Sequence, residues 1–266
     1  LHQGAKFHTQ TLTLDDDIAL LRRNLVSSFT RGGGLWFYDF GAGYGGWWNH
    51  PRLLDEIRQL RTLFEDRYRA GFARDADALV VYDPAVFRHT ARTWRVDCVS
   101  HACTDDLSAA LYRSGACFDD VLLDDLPDTD LSRYKLVLFA NTFRMTEPQR
   151  AHVRDRVLRD NRHVAFIHLP GYTDGQRNDL AFVRELTGLD LTLHTPAQQP
   201  TLRVTLESGE VSESTLWHPV PLPIFTPGEG VQTLGTIENH PAAARVRLPQ
   251  ATAWSFALPP TDPRLW

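Results

Sequence analysis

Three stretches constrain this chain more than any others: Ala78–Tyr82 (ALVVY), Tyr134–Ala140 (YKLVLFA) and His163–Leu169 (HVAFIHL). Each is a nearly unbroken apolar run. A strand that alternates apolar and polar residues can leave one face in water, but a run like these must be covered on both. The runs end in turn chemistry, at Asp83-Pro84, Asn141 and Pro170-Gly171. Helical segments lie between them. Thr104-Asp105-Asp106 starts a helix over Leu107, Ala110 and Leu111 that Gly115 closes. Thr146-Glu147-Pro148 opens a second through Val153 and Val157, and Leu180–Leu186 is a third, stopped by Gly188. Cys117–Leu123 is a further strand, interrupted by Asp119 and Asp120. Strands alternating with helices imply a parallel sheet covered on both faces, an α/β sandwich. From Leu191 the period shortens to strands separated by Pro and Gly: Thr201–Leu206, Thr215–Pro219, Val231–Ile237, Ala244–Leu248 and Thr252–Ala257. They predict either an antiparallel extension of the sheet or a small β appendage.

The opening third has a different character. Thr13 is suited to cap a helix with Asp15, Asp16 and Asp17 in its first turn, where the helix dipole favours negative charge. Ile18, Leu21, Leu25 and Phe29 keep helical spacing, and Arg31-Gly32-Gly33-Gly34 stops the helix. Leu35–Phe40 follows as a strand carrying Asp39, then a glycine-rich loop presents Trp47 and Trp48. Asn49 can cap the next helix, with Pro51 in its first turn and Leu53, Leu54, Ile57, Leu60, Leu63 and Phe64 as its apolar stripe. A strand that carries an acid and opens into paired aromatics suits the mouth of a parallel α/β barrel, where the loops after the strands build the site. It equally suits a buried strand with a hydrophobic loop beneath it. Residues 1–12 read as a ragged start with one strand around Lys6–Thr11. About one and a half βα units cannot close a barrel. The polar stretch Arg69–Asp77 marks a boundary, giving units 1–72 and 73–266, the second with a β-rich extension over about 191–266.

Composition removes several classes of function. The 266 residues are 42% hydrophobic and 23% charged, as in an ordinary globular protein. A net charge of −5 with dispersed Lys and Arg argues against nucleic acid as the main partner. No apolar run reaches the roughly 18 residues that span a bilayer. Three cysteines do not make a disulfide framework, and LHQGAKFH does not open like a secretory leader. A cytoplasmic protein with free thiols is therefore the expectation. GAGYGG leads into a tryptophan loop rather than a helix, so no nucleotide or other cofactor is expected.

Taken together, LLRRNLVSSFTRGGGLWFYDFGAGYGGWWNHPRLLDEIRQLRTLFE, then ADALVVYDP and DLPDTDLSRYKLVLFANTFRMTEPQRAHVRDRVLRDNRHVAFIHLPGYTDG, resemble the family-42 glycoside hydrolases, the β-galactosidases and their relatives. The first segment is similar to the end of that family's catalytic (β/α) barrel. The second is similar to its next domain, a flavodoxin-like sandwich of the class I glutamine-amidotransferase type that mediates trimer assembly. The resemblance covers most of residues 13–190. It implies a parent enzyme that hydrolyses a β-linked sugar with retention, a carbohydrate substrate, and a homo-oligomer, a trimer. Trp36, Asp39, Trp47 and Trp48 would lie nearest the sugar. Retention needs two carboxylates about 5–5.5 Å apart. In the family both are glutamates on earlier strands, and KFHTQT carries no acid, so the chain as given is not expected to hydrolyse glycosides. A free-standing carbohydrate- or protein-binding module of the amidotransferase-like fold, without catalysis, is the alternative.

Active relatives of the amidotransferase fold carry a cysteine on a tight turn after a strand. Here Asn141-Thr142-Phe143 and Pro170-Gly171-Tyr172 hold none, so no catalytic residue is assigned. A hydrolase using Cys117 or Cys103 with a histidine is a third reading, weakened because Cys117 precedes its strand. Cys98, His101 and Cys103 lack a second ligand pair, and Asp119, Asp120, Asp124 and Asp125 lack the spacing of a calcium loop, so no metal is assigned. Asp83 and Asn141 stand at the carboxyl ends of parallel strands, where open α/β sheets place ligands. Turn chemistry explains Asp83-Pro84 equally well.

Overall fold

A computed structural model describes residues 13–30, 33–36, 50–71, 75–90 and 97–266. The chain parses into two compact units, one ending at Arg74 and the other running from Asp75 to Trp266.

Two helices make up the described part of the first unit, α1 (Leu14–Thr30) and α2 (Pro51–Ala70). Thr13 begins α1 as its residue type predicts. Its hydroxyl accepts from the Asp16 amide at 3.2 Å while its own amide donates to Asp16 Oδ2 at 2.9 Å, so two of the free donors at the helix start are satisfied. Helix α2 is capped by His50, one residue later than Asn49, and the imidazole Nδ1 accepts from the Arg52 amide at 3.3 Å. Ile18, Leu21 and Leu25 bury against Leu53 and Leu60, with Ile57 and Phe64 packed alongside. Leu54 and Leu63, assigned to the same stripe, are instead 38% and 53% exposed, because the buried row follows 53, 57, 60 and 64. Arg22 meets Glu56 across the pair through two hydrogen bonds of 2.7 and 2.8 Å, and that guanidinium holds the Glu56 carboxyl below its ordinary range. Residues 33–36 have no regular structure. The remainder of the expected Leu35–Phe40 strand, and the one around Lys6–Thr11, lie outside the described residues.

In the second unit the chain runs through β1 (Ala78–Tyr82), α3 (Cys98–His101), α4 (Leu107–Ser114), β2 (Phe118–Leu122), β3 (Leu136–Phe139), α5 (Glu147–His152), β4 (Arg162–Ile167) and α6 (Leu180–Thr187). It continues through β5 (Leu191–His194), β6 (Thr201–Thr205), β7 (Val211–Thr215), β8 (Leu222–Phe225), β9 (Val231–Ile237), β10 (His240–Arg247) and β11 (Ala251–Phe256). Among the described residues nine strands form one mixed sheet in the order β2-β1-β3-β4-β11-β10-β9-β6-β7, and β5 pairs with β8 separately. The first five in that order are parallel; the pairings from β11 to β7 are antiparallel.

The apolar runs are the central strands, buried on both faces as their composition requires. Val80, Leu138, Ala165 and Ile167 face Cys103, Leu107 and Leu111. Leu79, Val81, Val137, Phe139, Val164 and Phe166 face Val153, Val157, Val183 and Leu186. Phe139 and Phe166, register partners on β3 and β4, stack with centroids 5.2 Å apart. Strand β2 tolerates Asp119 and Asp120 because it pairs only with β1 among the described strands. Asp119 accepts from the Tyr134 hydroxyl at 2.8 Å and pairs with Arg133.

Two assignments move. The helix after β1 starts at Cys98, where Asp97 Oδ1 accepts from the Val99 amide at 3.1 Å, and passes a π-helical segment at Ala102–Asp106. Thr104 lies inside it, its hydroxyl bonded back to the Ser100 carbonyl at 2.9 Å. The strand expected at Thr215–Pro219 is β7, at Val211–Thr215, and β5 and β8 have no counterpart among the expected strands. The tail extends the main sheet rather than forming an appendage, and it does so by sending β11 in parallel beside β4.

Candidate functional site

The order in which strands are added to the parallel part of the sheet reverses between β1 and β3: β2 is added on one side of β1 and β3 on the other. Open α/β sheets hold ligands in the crevice outside the carboxyl ends of such a pair. Asp83 and Asn141 are the residues there, and the structure brings them together. Asn141 Oδ1 accepts from the Asp83 amide at 2.8 Å, and Asn141 Nδ2 donates to the Asp83 carbonyl at 3.2 Å. The Asn141 side chain thus closes the gap where the two strands diverge, in place of a ladder. Asp83 Oδ1 accepts from the Ala85 amide at 2.9 Å and caps the 3-10 turn Pro84–Arg88. The two side chains are occupied as turn and clamp.

Unused capacity remains at the same edge. Asp83 Oδ2 and Thr142 Oγ1 are buried without a hydrogen-bond partner among the described residues. Burial raises the Asp83 carboxyl above its ordinary value, against the pull of the Ala85 amide and of Arg144, with Asp124 adding to the rise. Arg144 is half-buried beside this crevice, on a loop that bridges to Thr173. Gln149 Nε2 donates to Asp124 Oδ1 at 2.8 Å.

The turn after β4 differs from its expected form. The strand ends at Ile167, so the turn begins on His168 rather than at Pro170. His168 has φ +60, a left-handed value unusual for a residue with a side chain. Its amide donates to the Phe256 carbonyl at 2.7 Å and its Nδ1 lies 3.1 Å from the Ala257 carbonyl, which ties β4 to the end of β11. Burial pushes its pKa down to about 4, leaving a neutral imidazole at pH 7. The left-handed position after β4 therefore holds a neutral histidine, packed edge-on against Phe143 at 5.1 Å. The hint available in the sequence was that His168 interrupts an otherwise apolar run.

Cys98 and Cys103 are buried and their thiols are raised by that burial, the opposite of an activated thiolate. Cys117 is exposed, but it precedes β2 and so lies at the amino end of the parallel strands, opposite Asp83. Among the described residues no three His, Cys, Asp or Glu side chains are grouped to hold a metal. No described helix is long and apolar enough to cross a membrane.

Of the four residues assigned to a sugar, Trp36 is described, 73% exposed. Asp39, Trp47 and Trp48 lie outside the described residues.

No family model matches the chain, and no curated protein matches it. Solved structures do. A β-galactosidase from Bacillus circulans sp. alkalophilus superposes with a TM-score of 0.59 at 15% identity, covering 81% of this chain and 33% of that one. A catalytic mutant of a GH42 β-galactosidase from G. stearothermophilus gives 0.59 at 14% identity, covering 78% and 31%. An exo-β-1,4-mannosidase from Opitutaceae bacterium strain TAV5 gives 0.52 at 14% identity, covering 77% and 34%. The chain spans about a third of the length of these structures. At such identities the resemblance to the family-42 enzymes is one of fold.

Proposed function

We propose that this chain is a non-catalytic part of a glycoside hydrolase of the β-galactosidase type, in which the unit from Asp75 onward serves to assemble copies of the protein. The observation that carries this reading is the likeness of fold over 81% of the chain to a third of a β-galactosidase. Two features of the second unit support it. The order β2-β1-β3-β4-β11 is that of a flavodoxin-like sheet with its fifth position filled by a late strand, in keeping with an amidotransferase-like sandwich. Its strand-end turns hold Asn141 and His168 where a working relative would hold a nucleophile.

In this reading the first unit is the closing segment of the catalytic barrel, and Trp36, Asp39, Trp47 and Trp48 face the sugar. The intact cytoplasmic parent hydrolyses a β-linked glycoside with retention, using a carboxylate pair supplied by earlier strands. Sedimentation equilibrium tests the assembly role: the chain is expected to run at a multiple of its 30.2 kDa mass, three copies for a trimer. A strictly monomeric species at high concentration would overturn it.

A further inference from the structure

A second site lies at the far end of the sheet from Asp83. There β4, β11, β10 and β9 expose one face, and register places its side chains in two rows. His163 is level with Thr252 and Thr252 with Arg247; Trp254 is level with Arg245 and Arg245 with Gln232. Residues paired across strands point to the same face, and Trp254 packs on the cluster beneath α3 and α4, which identifies that face. A groove of about 530 Å³ opens here, lined by His163, Gln232, Arg245, Arg247 and Thr252 together with Gly230 and Val231.

The lining is chemically one-sided. Arg245 and Arg247 are exposed, and among the described residues neither makes an ion pair; Arg245 rests over the Trp254 ring at 5.6 Å. The Trp254 indole N–H donates to His163 Nδ1 at 3.1 Å. That bond makes Nδ1 the acceptor, so the neutral ring carries its proton on Nε2 as one more donor. No carboxylate lines the groove, although the chain as a whole carries a net charge of −5. Two unpaired guanidiniums, an imidazole N–H, an amide and a hydroxyl make a site for an oxyanion on a hydroxyl-bearing molecule. The volume falls within the range of small-ligand sites.

We propose that this groove binds an acidic sugar, with Arg245 and Arg247 on its carboxylate or phosphate and Gln232, Thr252 and His163 on its hydroxyls. The sugar rests on the carbohydrate reading above; the oxyanion rests on the groove alone. Calorimetric titration of the full chain with galacturonate, galactose 6-phosphate, galactose and inorganic phosphate tests it. At least one acidic sugar is expected to bind, more weakly as salt rises, and galactose is not. The tighter of the two acidic sugars identifies the oxyanion. Replacing both arginines (Arg245→Ala with Arg247→Ala) removes two charge-assisted contacts and is expected to weaken binding about a hundredfold. Both positions are exposed, so the unfolding midpoint is expected to hold, and it serves as the folding control. Equal binding of galactose, an unchanged affinity in the double variant, or no binding of any probe overturns the proposal. Inorganic phosphate binding as tightly as galactose 6-phosphate overturns the sugar assignment and leaves the assembly role, which sedimentation decides, untouched.

Discussion

Burial acts on Asp83 and His168 with opposite consequences for pH. The folded state raises the Asp83 carboxyl, so it keeps its proton to higher pH than the unfolded chain does. Stability from this group therefore falls as pH rises from the ordinary carboxylate range through the raised value, and the cost is fully present above it. Asp83→Asn keeps an acceptor for the Ala85 amide and removes the charge. Its urea midpoint is expected to exceed that of the parent at pH 7, and to match it near pH 3. His168, pushed down to about 4 from 6.5, runs the other way. Its contribution is whole above the unfolded value and is lost as pH falls through the folded one, on the order of 3 kcal/mol in all. Asn tolerates the left-handed backbone at this position, so His168→Asn is expected to fold and to flatten the midpoint between pH 4 and 6.5. A slope that survives the substitution would place the titrating group elsewhere. Asp83 and Asn141 were legible as strand-end residues because turn chemistry is local. Their mutual clamp was not, since it joins positions far apart in the chain.

Elements with strong local signals stand where the sequence put them. The spans of β1 and β9 match their expected bounds, and Gly188 ends α6 in the left-handed conformation at φ +72. The misplaced elements had weak signals. Cys98–Cys103 offers no long aliphatic stripe, so the helix start at Asp97 was invisible next to the acidic pair at Asp105-Asp106. β7 alternates Ser, Glu, Ser and Thr, and its two buried serines, Ser212 and Ser214, give no apolar period to read. The join between β6 and β9 is narrow, two register pairs, and depends on Gly235. A Cβ there would stand 2.4 Å from the Arg203 carbonyl oxygen, a backbone atom that cannot turn aside. Gly235→Ala is expected to cost about 1–3 kcal/mol and to loosen β6 and β7 ahead of the rest. Hydrogen exchange reads this directly: protection lost evenly over the sheet, or not at all, would contradict it.

Across the molecule, the two apolar clusters of the main sheet draw every member from residue 76 onward. Residues 75–266 expressed alone are accordingly expected to unfold cooperatively, with a thermal midpoint within a few degrees of the full chain. A molten or insoluble product would show that the opening unit is needed for folding. The amino-acid order alone was enough for an α/β architecture, since unbroken apolar runs between helices have no other way to cover both faces. It was also enough for the character of the residues at the strand ends. It left open whether the late strands stood apart or joined the sheet, because either choice satisfies their short alternating pattern. Long-range pairing settled that by running β11 beside β4, which buried His168 beneath Ala257 and set Arg247, the register partner of Thr252, in line with His163. The β4–β11 alignment depends on register between strands about ninety residues apart, and no local propensity encodes it.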